Sequence, residues 1–248
     1  MLRKRLITTL TINNGILFRT KLFEPDYRYT MNFIDTWSVD EIITLDITRG
    51  PNRNRQQFLK TITGLAKNCF VPLSCGGGVR SLDDARCLFV AGADKIILNT
   101  GAIEKPELIT EIARVFGTQA IILSIDTKEV SKGDYRVFSN SGQRLHDLIP
   151  WDWAKQGEEL GAGEVLITAI DRDGSLEGYD LDLTRRVADT VNIPVLALGG
   201  AGSWQHFIEG FEIGKASAVC SQNIYHFTEQ SIQNAKIYLA DKGIHVRI

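Results

Sequence analysis

Short apolar runs alternate with longer stretches of helical periodicity along the whole chain. Runs rich in Val, Ile and Leu, bounded by polar residues, Gly or Pro, are typical of strands whose two faces are both buried. We predict eight strands, at residues 6–12, 41–47, 70–74, 95–99, 120–125, 164–169, 195–198 and 217–221. We predict helices at residues 56–66, 82–90, 106–115, 153–160, 183–187, 204–211 and 231–239. This alternation favours repeated βα units around a parallel sheet.

An internal repeat refines this picture. The segment that begins at Ile193, Ile-Pro-Val-Leu-Ala-Leu-Gly-Gly-Ala-Gly-Ser, resembles the segment that begins at Val71, Val-Pro-Leu-Ser-Cys-Gly-Gly-Gly-Val-Arg-Ser. Two half-barrels would produce this repeat, whereas a doubly wound open sheet would not readily place equivalent glycine loops half a chain apart. The 248 residues match the roughly 250 of one barrel, and no linker-like stretch divides them. We therefore predict an α/β fold, a single (β/α)8 (TIM) barrel domain over residues 1–248.

Composition and charge exclude several classes of protein. With 44% apolar and 23% charged residues, the chain has the composition of an ordinary globular protein. A net charge of -2 and a pI near 6.1 give no overall attraction to nucleic acid or to anionic membranes, so an anionic ligand needs a local site. No segment approaches the roughly 20 apolar residues of a membrane span.

Cysteine usage and the start of the chain indicate a cytoplasmic protein. The four cysteines have no paired C-x-x-C spacing, so we expect reduced thiols. We interpret the basic and then apolar start as the first strand, because Asn13, Asn14 and Gly15 end the apolar run too early for a signal peptide. We expect no metal and no redox cofactor, since no cluster of His, Cys and carboxylates has ligand spacing.

Two glycine loops are the first candidate binding site. Gly77 and Gly78 follow the third predicted strand, and Gly199 and Gly200 follow the seventh. In a (β/α)8 barrel ligands bind where strands end, and glycine lets a phosphate approach the backbone at a helix N-terminus. The two loops predict a ligand with a phosphate at each end. Further phosphate-binding candidates lie at neighbouring strand ends, although loop capping explains each of them equally well: Asn99, Thr100, Asp173 and Gly174.

Carboxylates at strand ends are candidates for proton transfer. Asp126 ends the fifth predicted strand and Asp46 ends the second, and either could act as a general acid or base. Alternatively, such a carboxylate orients a neighbouring backbone group or lysine. The repeat sets strand one opposite strand five, and there Thr11 is the equivalent of Asp126. One half of a carboxylate pair is therefore missing.

The starts of four predicted strands carry charges, Arg5, Glu41, Lys95 and Glu164. If these side chains point inward, they form a ring of two positive and two negative charges, because buried charges are tolerated only when paired. A structural salt-bridge plug is the alternative interpretation.

Taken together, these residues resemble the HisF family, the synthase subunits of imidazole glycerol phosphate synthase. The resemblance runs almost end to end. It is carried by Met-Leu-x-Lys-Arg at Met1, Leu-Asp-Ile-Thr at Leu45, Cys-Gly-Gly-Gly at Cys75, Gly-Ala-Asp-Lys at Gly92, Ile-Asp-Arg-Asp-Gly at Ile170, Gly-Gly-Ala-Gly at Gly199 and His-Phe at His226.

The resemblance implies a HisH-like glutaminase docked as a heterodimer partner on the rim where the strands start, with ammonia passing through the barrel. The four charged residues match the family's ammonia gate, and Asp94 matches a position beside the glutaminase. The family closes an imidazole ring on a bisphosphate ribulosyl substrate with two aspartates. Asp126 matches one of them, but Thr11 replaces the other, and a lost acid or base typically costs about 10²–10⁴ in rate.

Further departures from the family lie near the ends of the strands. Arg19 replaces a lysine of the flexible first loop, residues 20–30 differ from the usual pattern, and Leu198 occupies a small polar position. Ser221-Gln222-Asn223 replaces a turn that helps to bind the second phosphate, which makes Asn223 a candidate ligand there. This pattern resembles a side branch of HisF-like proteins that supply ammonia to a separate ATP-using amidotransferase in sugar amidation. We favour this branch.

Three other functions remain open from the sequence. The chain could be a working cyclase in which Asp46 replaces the missing aspartate. It could be a non-catalytic scaffold that activates the glutaminase allosterically. A single-chain sugar isomerase of the related HisA type fits the half-barrel symmetry, but it would need both aspartates and has no use for the charged ring.

Overall fold

The computed structural model describes residues 3–29, 39–50, 53–222 and 232–248. In chain order, the strands are β1 (Arg5–Asn13), β2 (Ile16–Lys21), β3 (Glu24–Tyr29), β4 (Glu41–Asp46), β5 (Leu73–Gly76), β6 (Lys95–Leu98), β7 (Ile121–Ser131), β8 (Asp134–Ser139), β9 (Arg144–Leu145), β10 (Glu164–Ala169), β11 (Val195–Leu198) and β12 (Ala218–Ser221). The α-helices are α1 (Arg55–Ala66), α2 (Leu82–Ala91), α3 (Thr100–Glu104), α4 (Glu107–Phe116), α5 (Pro150–Leu160), α6 (Leu181–Thr190), α7 (Trp204–Glu212) and α8 (Ile232–Asp241).

Eight parallel strands close into a barrel in the order β1, β4, β5, β6, β7, β10, β11, β12 and back to β1. The closing pair aligns Arg5 with Ala218, and on the other side of β1 Ile7 aligns with Glu41. Helices follow the strands along the chain and cover the outside. The predicted (β/α)8 barrel is therefore confirmed.

The two halves of the barrel repeat the same local geometry after their glycine loops. Ser81 begins α2 in extended conformation and its hydroxyl accepts the backbone N–H of Asp84. Ser203 begins α7 in the same way and accepts the backbone N–H of His206. A serine at the N-cap satisfies a helix donor that would otherwise lack a partner. The repeated Gly-Gly-x-x-Ser pattern therefore encodes a repeated turn from strand to helix.

Buried apolar residues form two separate layers. The larger cluster lies between the barrel and its helices, with Leu6, Ile42, Leu98 and Phe207 among its fully buried members. The second fills the inside of the barrel and is formed by Ile7, Ile43, Ile97, Ile122, Leu166, Leu196, Leu198, Ala218 and Cys220. Alternate residues of one strand enter alternate clusters, as the two-residue period of a strand requires.

Two antiparallel extensions of barrel strands, each made of two consecutive hairpins, were not predicted. Strands β2 and β3 extend from β1, and β8 and β9 extend from β7. Polar and charged residues such as Arg19 and Lys21 interrupt the apolar pattern there, so the segments do not resemble buried strands. The turn at Asn14 and Gly15, both with positive φ, is nevertheless a common hairpin signal.

One predicted strand begins later than expected. The strand predicted at residues 70–74 starts at Leu73, and Phe70 is 68% exposed. Pro72 has no backbone N–H to donate to a neighbouring strand, so regular pairing begins after it. Within the described ranges, no helix has the length and apolar character needed to cross a membrane.

Candidate functional site

The four charged residues at the strand starts form a closed ring inside one end of the barrel. Arg5 Nη1 lies 3.0 Å from Glu41 Oε2 and 2.9 Å from Glu164 Oε1. Lys95 Nζ lies 3.0 Å from Glu41 Oε2 and 3.0 Å from Glu164 Oε2. Each charge therefore touches two charges of opposite sign, and the ring has no net charge.

Burial and ion pairing shift the pKa of Arg5 in opposite directions. Burial by itself would lower the pKa of Arg5, but the carboxylates of Glu164 and Glu41 outweigh it, so the pKa is raised. The Glu41 side chain is 1% exposed and also accepts a hydrogen bond from Ser74 Oγ at 2.6 Å. The ring is thus a fixed, hydrogen-bonded array at the rim, which we call the ionic ring.

An apolar layer follows the ionic ring along the barrel axis. Ile7 and Ile43 lie two residues after Arg5 and Glu41, and Ile97 and Leu166 lie two residues after Lys95 and Glu164. Because side chains alternate in direction along a strand, each apolar residue lies directly above a charged one. An ion that enters this layer loses its hydration at a high cost in free energy. A small neutral molecule loses much less hydration free energy there.

The opposite end of the barrel holds a cavity of about 550 Å³. Thr11, Asp126 and Asp173 line it, together with Asn99 and Thr100. It lies where the parallel strands end, which is the functional face of (β/α)8 barrels. The structure therefore brings Thr11, Asp126 and part of the phosphate-binding candidates to one place.

The two glycine loops differ in their relation to this cavity. Gly77 and Gly78 line it, but Gly199, Gly200 and Gly174 are not among the described residues that do. A Cβ on Gly77 would lie 2.4 Å from the carbonyl oxygen of Asp46, and one on Gly200 would lie 2.1 Å from that of Gly178. The close approach of these backbones, together with positive φ angles, requires glycine at both positions.

Asp126 is the carboxylate of the cavity that is best suited to proton transfer. Burial raises its pKa to about 7, and the charge of Asp173 adds to this, whereas the Ser124 hydroxyl, 3.4 Å away, acts in the opposite direction. A group with this pKa exchanges a proton readily near neutral pH, which suits a general acid or base.

Thr11 lies in β1, across the cavity from Asp126, and is buried. Its hydroxyl donates a hydrogen bond to the carbonyl oxygen of Phe18 in the adjacent strand β2. The proton of the hydroxyl is therefore directed into the β1–β2 hairpin. Among the described residues no base contacts this oxygen.

Asp46 is engaged by its own loop. Its Oδ1 accepts the backbone N–H of Thr48 at 3.0 Å, and its Oδ2 lies 3.2 Å from Nε of Arg53. The side chain is an anchor for the loop that follows β4. This arrangement does not favour Asp46 as a replacement for the missing aspartate.

Asp173 holds the β2–β3 hairpin against the cavity. Its carboxylate accepts from Thr20 Oγ1 at 3.1 Å and from the Phe23 N–H at 3.0 Å, and its carbonyl accepts from the Leu22 N–H at 3.0 Å. A Cβ on Gly174 would also meet the hairpin, 2.8 Å from the carbonyl oxygen of Thr20. In this structure both residues contact the protein's own hairpin.

Asn99 and Thr100 connect the loops around the cavity. Asn99 Nδ2 donates to the carbonyl of Ser124 at 3.2 Å, and Thr100 Oγ1 donates to Asn99 Oδ1 at 3.2 Å. Thr100 Oγ1 also accepts the Asn140 N–H at 3.1 Å. Either residue can exchange such contacts for a ligand oxygen.

The remaining candidate residues lie outside the cavity or outside the described ranges. Arg19 pairs with Asp26 across the β2–β3 hairpin and does not line the cavity. Asp94 is exposed at the rim of the ionic ring, where its Oδ2 accepts the Leu73 N–H at 2.8 Å. Asn223 and the His226-Phe227 pair lie outside the residues that the structure describes.

Sequence reasoning missed the arginines of the loop after β4. Arg49 and Arg53 both line the cavity. Arg49 donates to the carbonyl oxygens of Phe23 at 2.9 Å and Ser141 at 3.1 Å and pairs with Glu24, so it joins two hairpins to its own loop. The sequence did contain a signal for them: both arginines lie in the loop that directly follows a barrel strand, and the loops at this end of the strands surround the ligand site.

Comparisons with known proteins agree with this architecture. Residues 10–230 match the family described as "Histidine biosynthesis protein". The chain is 42% identical to "Imidazole glycerol phosphate synthase subunit HisF" of Hydrogenobaculum sp. (strain Y04AAS1), with 100% of both chains covered. It is 40% identical, again with 100% of both covered, to the protein of the same name from Chlorobium phaeobacteroides (strain DSM 266 / SMG 266 / 2430). The chain therefore belongs to the HisF family of enzyme subunits, those of imidazole glycerol phosphate synthase.

Proposed function

We propose that this chain is the synthase-type subunit of a two-protein glutamine amidotransferase. A HisH-like glutaminase docks on the rim that carries the ionic ring and Asp94, and its ammonia passes through the barrel to the cavity. The observation that carries this proposal is the ionic ring itself. It lies at the barrel entrance, directly below an apolar layer and opposite the cavity.

The ring and the apolar layer suit a molecule that crosses without charge. Ammonium would be attracted to Glu41 and Glu164 but would lose its hydration among Ile7, Ile43 and Ile97. Neutral ammonia can exchange hydrogen bonds with the ring and enter the apolar layer. Since side chains fill the barrel interior, passage requires a transient rearrangement of the ring, which makes it a gate.

Within this role we favour ammonia delivery in sugar amidation over ring closure by the chain itself. Asp126 is the one carboxylate of the expected pair, and the Thr11 hydroxyl donates a hydrogen bond to the carbonyl oxygen of Phe18. A separate ATP-dependent amidotransferase would then use the ammonia on a sugar acceptor. The phosphate-binding role of the cavity residues Gly77, Gly78, Asn99 and Thr100 is part of this proposal, with a phosphorylated small molecule as ligand.

The experiment is cyclase turnover of the purified chain with the bisphosphate ribulosyl substrate and saturating ammonium, beside Thr11→Asp. We expect no turnover by the unaltered chain and measurable turnover by T11D. In parallel, complex formation with a HisH-like glutaminase and the glutaminase rate are measured. Turnover by the unaltered chain would overturn the amidation role, and failure to bind or activate any HisH-like glutaminase would overturn the ammonia-transfer role.

The second candidate function is the cyclase reaction itself. The identity of 40–42% over full length to HisF subunits favours it, as does the pKa of Asp126 near 7. In this case Asp126 would supply both proton transfers or act with a water. An Asp126→Asn variant would then lose the turnover that the unaltered chain shows with ammonium.

A further inference from the structure

The guanidinium group of Arg53 lies directly on the glycine loop after β5. A Cβ built on Gly78 would lie 1.8 Å from Arg53 Nη1, and Gly78 has a φ of +68°. A side chain at position 78 would require the guanidinium of Arg53 to move away. The positive φ favours glycine at position 78, and Arg53 occupies the space that the missing side chain leaves.

Two of the three guanidinium nitrogens are held by the protein. Nε donates to the carbonyl oxygen of Thr48 at 3.1 Å, and Nη2 donates to that of Asp46 at 3.1 Å. The Asp46 carboxylate lies 3.2 Å from Nε. Within the described part of the chain, Nη1 has no hydrogen-bond partner. A planar group fixed on one side leaves its remaining N–H donors in a defined direction.

The cavity reaches this group. Arg53, Gly77 and Gly78 line it together with Asn99 and Thr100, so a ligand atom near the glycine loop meets a positive charge and neutral donors at once. Guanidinium groups bind phosphate oxygens more strongly than neutral donors do, because the hydrogen bond is charge-assisted. The lining combines the two kinds of group that a phosphate monoester needs.

Among the described residues, the equivalent loop in the other half of the barrel is covered by backbone, with the Cβ of Arg172 3.2 Å from the place of a Cβ on Gly200. The backbone of Gly178 crosses Gly200, and the Gly178 N–H donates to the Gly200 carbonyl oxygen at 2.7 Å. The Gly178 backbone therefore packs on Gly200, in the position where the Arg53 guanidinium packs on Gly78. The sequence repeat is symmetric, but the group that packs on its second glycine differs between the two halves: a guanidinium on Gly78 and the Gly178 backbone on Gly200.

We propose that Arg53 is an anion-binding residue of the cavity, which donates to the terminal phosphate of a phosphate monoester bound at Gly77 and Gly78. Asp46 is its positioning residue and takes no part in proton transfer. The inference rests on the proposed function only in that a phosphorylated small molecule enters the cavity.

The test is calorimetric binding of ribose 5-phosphate, with ribose as the ligand that lacks a phosphate. Arg53→Met keeps the length of the stem and removes the charge, and Arg53→Lys keeps the charge without the planar group. The control Arg86→Met removes the same charge from an exposed position in α2, where Arg86 pairs with Asp83. Correct folding is checked by circular dichroism.

We expect R53M to weaken binding of ribose 5-phosphate by about ten- to a hundredfold and R53K to have an intermediate effect. R86M should bind as the unaltered chain does, and inorganic phosphate should compete in the unaltered chain but not in R53M. Asp46→Asn should weaken phosphate binding less than R53M does. Equal affinity of R53M and the unaltered chain, or equal affinity for ribose and ribose 5-phosphate, would overturn the proposal.

Two features of the design keep the outcomes separate. If R53M does not fold, the proposal is tested by R53K. An affinity of R53K for ribose 5-phosphate equal to that of the unaltered chain would contradict a role for the planar guanidinium. Binding is measured without a glutaminase, so loss of ammonia transfer with intact Arg53-dependent binding would contradict the proposed function and leave this inference standing.

Discussion

Asp126 is the residue whose surroundings change its chemistry most clearly. Its pKa is raised to about 7 by burial, with Asp173 adding to the effect, whereas an unfolded aspartate titrates near 3.9. A pKa raised by folding means that the native state binds the proton more tightly than the unfolded state. The stability from this group is therefore fully present below about pH 4 and is lost as the pH rises through about 7.

We expect Asp126→Asn to reveal this loss. Relative to the variant, the unaltered chain should lose roughly 2–4 kcal/mol of unfolding free energy between about pH 4 and about pH 8. Urea unfolding at a series of pH values measures the difference. Asp147→Asn is the control, because that side chain is 99% exposed. Parallel pH profiles for D126N and the unaltered chain would contradict the raised pKa.

Gly200 and Gly133 allow the cost of close backbone approach to be separated from the cost of a positive φ. Both have positive φ, but a Cβ on Gly133 meets nothing within 4 Å, whereas one on Gly200 lies 2.1 Å from the Gly178 carbonyl oxygen. We expect Gly133→Ala to cost roughly 1 kcal/mol of unfolding free energy and Gly200→Ala roughly 3 kcal/mol or more. Denaturant unfolding of the two variants measures this, and similar costs would show that the loop relaxes.

The β2–β3 hairpin is the element that closes one side of the cavity. Its turn residues Leu22 and Phe23 both have positive φ, and their N–H groups donate to Asp173. Thr20 N–H adds a hydrogen bond to Gln222 Oε1 at 3.1 Å. The hairpin is therefore held at its tip by a loop from the other half of the barrel.

Asp173→Ala should loosen this element without unfolding the barrel. The Phe23 N–H loses a carboxylate acceptor, so its hydrogen exchange should accelerate by about ten- to a hundredfold. Exchange mass spectrometry on a peptide covering residues 16–29 reports the change. Asp171→Ala is the matched control, since Asp171 lies in the same short turn but pairs at the surface with Lys128. Equal acceleration in both variants would assign the effect to the turn instead.

The ionic ring acts at the scale of the whole molecule, because it joins strands from both halves of the barrel. Lys95→Met leaves Glu41 and Glu164 with Arg5 as their shared partner, and an incompletely paired buried carboxylate is costly. We expect a loss of about 2–4 kcal/mol of unfolding free energy. Adding Glu164→Gln should recover part of that loss, because Arg5 and Glu41 then form a complete pair.

A double-mutant cycle measured by urea unfolding tests this coupling. The exposed pair of Lys215 and Asp189 provides the comparison, and Lys215→Met should cost less than about 1 kcal/mol. Strict additivity of Lys95→Met and Glu164→Gln would show that the four charges do not act as one ring. Such a result would also weaken the proposed gate, which depends on concerted rearrangement.

The chain's sequence by itself determined the barrel and the positions of its glycine loops. Alternating apolar runs and helical patterns are local signals, and the repeat of Gly-Gly with a following serine predicts equivalent turns without knowledge of any distant contact. The charges of Arg5, Glu41, Lys95 and Glu164 were predictable as a group because strand starts of a closed barrel must meet. The polar hairpins lacked such a periodic signal.

Only the tertiary structure decided what each polar group at the cavity contacts. That the Thr11 hydroxyl donates to Phe18, that Asp173 holds the hairpin tip, and that Arg53 lies on Gly78 all depend on how loops meet after the barrel closes. Residues 20 and 173, for example, meet across the barrel mouth although they are distant in sequence. A polar side chain in a loop has many partners of similar energy, so its choice is made by geometry that a local pattern does not encode.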